Sequence, residues 1–249
     1  MAASGKNSRS NWGAVQPNNA LVLQTAPAII LASARMPPYA EFQVSLNVRA
    51  QDGPSEIFMG FSISWLATRT ENAEQLLKEA ELSSTDEGDE WLEAEFSGGY
   101  LVNGWYFLHG QSCDSRIISE GSLSAVSSLG LTIACSVEEH VMASSAEGWL
   151  NGSRQWRIAH DAQKEMFDLE AVGELPEPFQ AIREDLWAQQ HAEGGADADV
   201  DFVFDIPLAV AQTLTGFKHD IGPSPWAGTG PVALAGQSEP KHNSSTTPC

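Results

Sequence analysis

Basic residues are scarce in this chain, and cysteines scarcer. Thirteen Lys plus Arg stand against 33 Asp plus Glu in 249 residues, a formal net charge of −20. A surface so acidic repels phosphate backbones, which argues against sequence-independent nucleic-acid binding. Three cysteines, an odd number with no CxxC spacing, exclude a disulfide scaffold. No uninterrupted apolar run reaches the ~18 residues of a transmembrane helix, so no membrane span is expected. Signature motifs are missing as well: there is no HExxH, no GxSxG and no phosphate-binding glycine loop. No cofactor is therefore implied. What is present is a composition 42% hydrophobic and 8% aromatic, enough to build a core.

The charge is concentrated. Residues 1–58 hold four basic and three acidic residues, residues 59–222 hold eight and 29, and residues 223–249 hold one of each. The middle section is an acidic globular domain of ordinary single-domain size. The segment 223–249 is rich in Pro, Gly, Ser and Thr and reads as a disordered tail. At the other end, Lys6, Arg9, the apolar stretch Ala20 to Ala34 and Ala32-Ser33-Ala34 sketch a secretory signal. Gln24, Thr25 and Pro27 interrupt that stretch. Met59, directly before a strand-like segment, reads better as the natural start, leaving 1–58 a poorly structured extension of a cytoplasmic protein.

Within the middle section, Phe61, Ile63 and Trp65 alternate with Gly60, Ser62 and Ser64, the period of a half-buried strand. Ala73, Leu76, Leu77 and Ala80 fall on one helical face. An acidic loop with Asp86, Glu87, Asp89 and Glu90 precedes a second strand, Leu92-Ala94-Phe96, whose wet face carries Glu93 and Glu95. Gly98-Gly99 then reads as a turn into an aromatic strand from Tyr100 to His109. Ser122 to Leu129 reads as a short helix and Leu131 to Val137 as a strand. Asn151-Gly152 is the favoured two-residue hairpin turn. A further strand is expected near Met166 to Ala171, and a Gly/Ala/Asp loop leads to Phe202-Val203-Phe204. Helices are expected after Pro178 to about His191, with Phe179, Ile182 and Leu186 inward, and from about Pro207 to Gly216. Neighbouring strands with helices early and late predict an α+β fold, a mainly antiparallel sheet with helices packed on one face.

The chemistry offered by this pattern is sparse. A two-residue hairpin at Asn151-Gly152 pairs residues whose numbers sum to 303, which sets His140 opposite Gln163 and diagonal to Asp161, on the face of Glu138. Glu138, His140 and Asp161 are thus candidate ligands of a metal, or the acid and base of a hydrolase-like centre. The ordinary alternative is a solvated histidine on an acidic surface. His160 falls on the opposite, buried face. His219-Asp220 after the last helix is explained by the helix dipole alone. Cys135 sits inward as an inert core thiol, and Asp114 beside Cys113 opposes thiolate formation. Asp197, Asp199 and Asp201 alternate as in a calcium loop but lack its glycine and closing glutamate. Of the eight tryptophans, most belong to a core. One or two exposed among carboxylates would anchor a binding surface, with Trp149, Glu93 and Glu95 as the candidates.

Gly60-Phe61-Ser62-Ile63-Ser64-Trp65, Val137-Glu138-Glu139-His140-Val141-Met142 and Phe204-Asp205-Ile206-Pro207 to Gly216-Phe217-Lys218-His219-Asp220 together resemble a group of uncharacterised bacterial proteins. The resemblance covers about residues 59–220, supports Met59 as the start, and implies no activity. In its acidic, tryptophan-containing, motif-poor character the chain is also similar to toxin-neutralising immunity proteins. The expectation is a non-catalytic domain that binds a basic protein partner.

Overall fold

The computed structural model describes residues 60–221 and 226–236. The expected extension at 1–58, and residues 223–225 and 237–249 of the expected tail, lie outside them.

Nine strands form one sheet in the order β2-β9-β3-β4-β1-β5-β6-β7-β8, with every pairing antiparallel. The strands are β1 Ser62–Arg69, β2 Leu82–Gly88, β3 Phe96–Tyr100, β4 Trp105–Gly110, β5 Thr132–Glu138, β6 Ala143–Leu150, β7 Ser153–Asp161, β8 Leu169–Gly173 and β9 Val232–Gly236. Four α-helices join them: α1 Ala73–Glu79, α2 Glu120–Val126, α3 Phe179–Ala192 and α4 Asp205–Thr215. The fold is α+β and antiparallel, as the sequence predicts. No helix among the described residues is long and apolar enough to cross a membrane.

Local signals place the helices. The Asn72 side chain caps α1 by accepting from the Gln75 N–H at 3.0 Å, and Ser119 caps α2 in the same way. Gly216 ends α4 at φ +78°, donating to the Gln212 carbonyl at 2.7 Å.

Helices cover both faces of the sheet, which corrects the one-face expectation. Trp65, Ala67, Phe107, Ile133, Val137 and Ile158 share a core with α3 and α4. Leu66, Leu108 and Ala134, from the opposite side of the same strands, share another with α1, α2 and the short 3-10 turn at Ile117. Six consecutive residues of β1 are buried. Ser64 and Thr68, fully buried, gave that strand a falsely wet face in the sequence.

The second correction concerns the tail. Residues 232–236 are not a disordered segment; they are β9, inserted between β2 and β3, with Leu234 buried against Leu82 and Phe96. Trp226 bridges to Leu101 and meets Phe107 edge to face, 5.3 Å between rings. One partner of β9 is β2, whose residues after Leu82 are all exposed, Asp86 and Glu87 among them, and therefore read as loop. Gly98 lies inside β3 rather than in a turn, because a Cβ there would meet Leu108 at 2.8 Å and Leu234 at 2.9 Å. Phe202 to Phe204 lead into α4.

Candidate functional site

Inserting β9 between β2 and β3 forces the chain to cross over it, and residues 89–95 make that crossing on the side of the sheet that carries α3 and α4. Asp89 organises the segment. Its backbone N–H donates to the Pro231 carbonyl at 3.0 Å. Its carboxylate accepts from the Glu93 N–H at 2.9 Å, the Ala94 N–H at 3.0 Å and the Ser97 hydroxyl at 2.5 Å. Partial burial would raise the Asp89 pKa, but these donors and the nearby His109 outweigh it and hold the group below its ordinary value. His109 itself, buried on β4, is pushed down to about 4, by burial first and by His219 with it, against the pull of Asp89. Leu92 takes φ +56°, costly for a side chain of that shape, and is fixed by its N–H to the Asp89 carbonyl at 3.2 Å and by Gln111 donating to its own carbonyl.

The product of this framework is Trp91, 79% exposed on a pinned segment. Around it in sequence stand Glu90, Glu93 and Glu95, all exposed. Glu93 and Glu95 precede β3 in the crossover, where the sequence predicted a strand face. Trp149 is corrected outright: it is 4% exposed in the core, its indole N–H donating to Glu147 at 2.9 Å. Trp91, rather than Trp149, is the exposed tryptophan among carboxylates, and its place within an acidic run is the signal the sequence offers.

A polar groove of 380 Å³ opens over β5 to β8. Glu138, Asp161, Asp168 and Glu170 line it together with Arg157 and Lys164. Both cations are already paired: Arg157 with Glu147 at 3.0 Å and Glu170 at 2.6 Å, Lys164 with Asp168 at 3.2 Å. Glu138 and His140 are brought together, Nδ1 to Oε1 at 2.6 Å, and the Ser62 hydroxyl donates to Glu138 at 2.5 Å. With the Ser62 and His140 hydrogen bonds, Glu138 is pushed down to about 2. Asp161 does not join them. It lies on the far side of Ala143 in the register Glu138–Ala143–Asp161, and accepts from the Gln163 N–H at 3.0 Å. No three His, Cys, Asp or Glu residues among those described are grouped to hold a metal ion.

The expected register fails for a local reason. Leu150 pairs with Ser153 and Trp149 with Arg154, as a sum of 303 requires, but a shift at Gly148 pairs it with Trp156 and moves the rest by one. A Cβ on Gly148 would sit 2.1 Å from the Trp156 indole nitrogen, so the glycine makes room for that ring. His140 then lies in the turn 139–142, beyond the paired strands.

The other sequence candidates resolve as structural groups. His219 reaches Glu139 at 3.2 Å, while Asp220 pairs with Lys218 at 2.9 Å. Cys135 is buried, which pushes its thiol far up, and burial also raises Cys113. Asp201 is turned inward onto His160, at 2.9 Å, a contact across 41 residues that no local pattern announces. No protein-family model matches the chain, and no curated protein and no solved structure matches it.

Proposed function

We propose that the protein is a non-catalytic binding domain for a basic protein partner, of the kind an immunity-type inhibitor represents, docking on the 89–95 crossover. The observation that carries the reading is Trp91, which stands in water on a segment fixed by Asp89. Exposed tryptophan is a typical interface anchor, and a pinned loop loses little freedom on binding. Its ring face attracts ammonium and guanidinium groups, and Glu90, Glu93 and Glu95 add charge of the complementary sign. The excess of acid over base across the chain supports the same reading through steering of a cationic partner.

The test compares the wild-type chain with Trp91→Ala and with Glu93→Gln/Glu95→Gln in pull-downs from source-cell lysate, followed by association kinetics on the recovered partner. Trp91→Ala should lose the partner. The double neutralisation should slow association, and wild-type on-rates should fall about tenfold from low salt to ~0.5 M. A partner retained by Trp91→Ala with unchanged affinity overturns the assignment of the site. The rival reading, a metal-binding or hydrolase-like centre on Glu138, His140 and Asp161, keeps only the Glu138–His140 contact in its favour. Stoichiometric zinc binding lost on His140→Ala would reinstate it.

A further inference from the structure

His160 is enclosed, with a side-chain exposure of 0%, and both of its ring nitrogens face acceptors. Nδ1 lies 2.7 Å from the Asp168 carbonyl, and Nε2 lies 2.9 Å from the Asp201 carboxylate. A neutral imidazole carries a single N–H and satisfies one of these; an imidazolium donates to both. Asp201, only 6% exposed, is a buried carboxylate whose other oxygen accepts from the Phe204 N–H at 3.0 Å. Leaving such a charge without a cation is strongly unfavourable. The three residues come from β7, the β7–β8 connection and the segment before α4, so the contact ties three separate stretches of chain.

We propose that His160 is a pH-operated clamp: protonated, it holds the β7–β8 connection and the segment before α4 to β7, and loss of its proton releases one of them. The inference is independent of the partner-binding reading. The surrounding charges leave this balance with His160. On the β7–β8 connection, Lys164 is 3.2 Å from the Asp168 carboxylate and 3.8 Å from Asp161, with Glu165 next in sequence. From α3, His191 stacks on Phe167 at 4.8 Å. Before α4 stand Asp197 and Asp199, and Asp205 in its first turn is paired with Lys218 at 3.0 Å. On β8, Glu170 is taken by Arg157, and on β6 the Ser144 hydroxyl opposite His160 donates to the Phe204 carbonyl at 2.7 Å. Burial alone would lower the His160 pKa, but the Asp201 carboxylate and the Asp168 carbonyl outweigh it and leave the pKa raised. A raised histidine contributes stability that is full below its unfolded pKa and is lost as pH rises through the folded one. The clamp therefore opens on the alkaline side.

The test is an NMR titration of the His160 ring in the full chain from pH 5 to pH 9.5. Amide hydrogen exchange, corrected for its intrinsic pH dependence, is followed at residues 162–168 and 199–204. His160 should titrate above its ordinary value of 6.5. Protection in both segments, or in one of them, should fall about tenfold across that titration, the equivalent of one charge-assisted hydrogen bond, while β1 and β5 hold theirs. Asp201→Asn should lower the ring's titration point and flatten the exchange profile. A ring titrating at or below 6.5, or protection indifferent to its titration, overturns the clamp. Should Asp201→Asn fail to fold, the wild-type titration and exchange decide alone.

Discussion

The Ser97 hydroxyl donates to the Asp89 carboxylate at 2.5 Å, closing the crossover that holds Trp91 in solvent. Sequence neighbours of opposite fate result: Leu92 turns down onto the core shared with α3 and α4 while Trp91 turns away from it. The carboxylate is the centre of the device, because three donors converge on it.

Asp89→Ala should therefore cost about 1–2 kcal/mol in urea denaturation, less than a fully buried charged hydrogen-bond set because the site is partly exposed. The wild type should show a matching acid sensitivity. A carboxylate held below its ordinary pKa contributes stability above the unfolded value and loses it as pH falls through the folded one. Stability curves from pH 6 to pH 2 for both proteins should converge at the acid end, and parallel curves would remove Asp89 from the account.

Trp91→Ala should leave the unfolding free energy within about 0.5 kcal/mol of wild type, since the ring makes little use of the core. Partner affinity should nonetheless fall by about 2 kcal/mol or more, as for a central anchor. Calorimetry on the captured partner, with thermal melts of the two free proteins, separates these effects.

A chain ending at residue 222, where composition alone would place the boundary, lacks β9 and uncovers Phe96 and Leu82. It should be markedly less stable than the full chain in chemical denaturation. Leu234→Ala in the full chain should cost about 2–4 kcal/mol, the usual range for a buried leucine. An unchanged melt for either variant would mean that β9 contributes no core.

Gly148→Ala places a methyl 2.1 Å from the Trp156 indole nitrogen on a ring that is 6% exposed. Overpacking of this sort costs about 1–3 kcal/mol, and the β6–β7 pairing should be its focus. Backbone shift changes in NMR concentrated between residues 143 and 161 would locate the strain there; changes spread over the whole sheet would not.

Elements specified by neighbours along the chain are legible in the sequence. The α1 face, the Asn151-Gly152 turn with φ of +52° and +77° and the αL end at Gly216 each rest on contacts within a few residues. Alternation with Trp156 and Ile158 likewise places His160 on the inward face, and helical spacing does so for Phe179 and Leu186 of α3, although what covers them is tertiary. Elements specified across the chain are not. β2 and β9 are separated by more than 140 residues; β2 has a single buried apolar residue, and β9 is a five-residue run within a stretch rich in Pro, Gly, Ser and Thr, so neither announces a strand alone. β9 completes its backbone hydrogen bonds with β2 on one side and β3 on the other, and β2, at the sheet edge, pairs with β9 alone.

By itself, then, the sequence determined the class of fold and its charge, because periodicity, turn chemistry and ionisable residues are properties of short stretches. Tertiary structure decided which polar residues are inside and which tryptophan is outside. Ser64 and Thr68 are buried only because a second layer of helices closes over them, and Trp149 is buried for the same reason. Trp91 is exposed because β9, arriving from the far end of the chain, obliges residues 89–95 to cross over it, and the Asp89 carboxylate then fixes the crossing. Burial is a sum over contacts from every part of the chain, and no local window contains that sum.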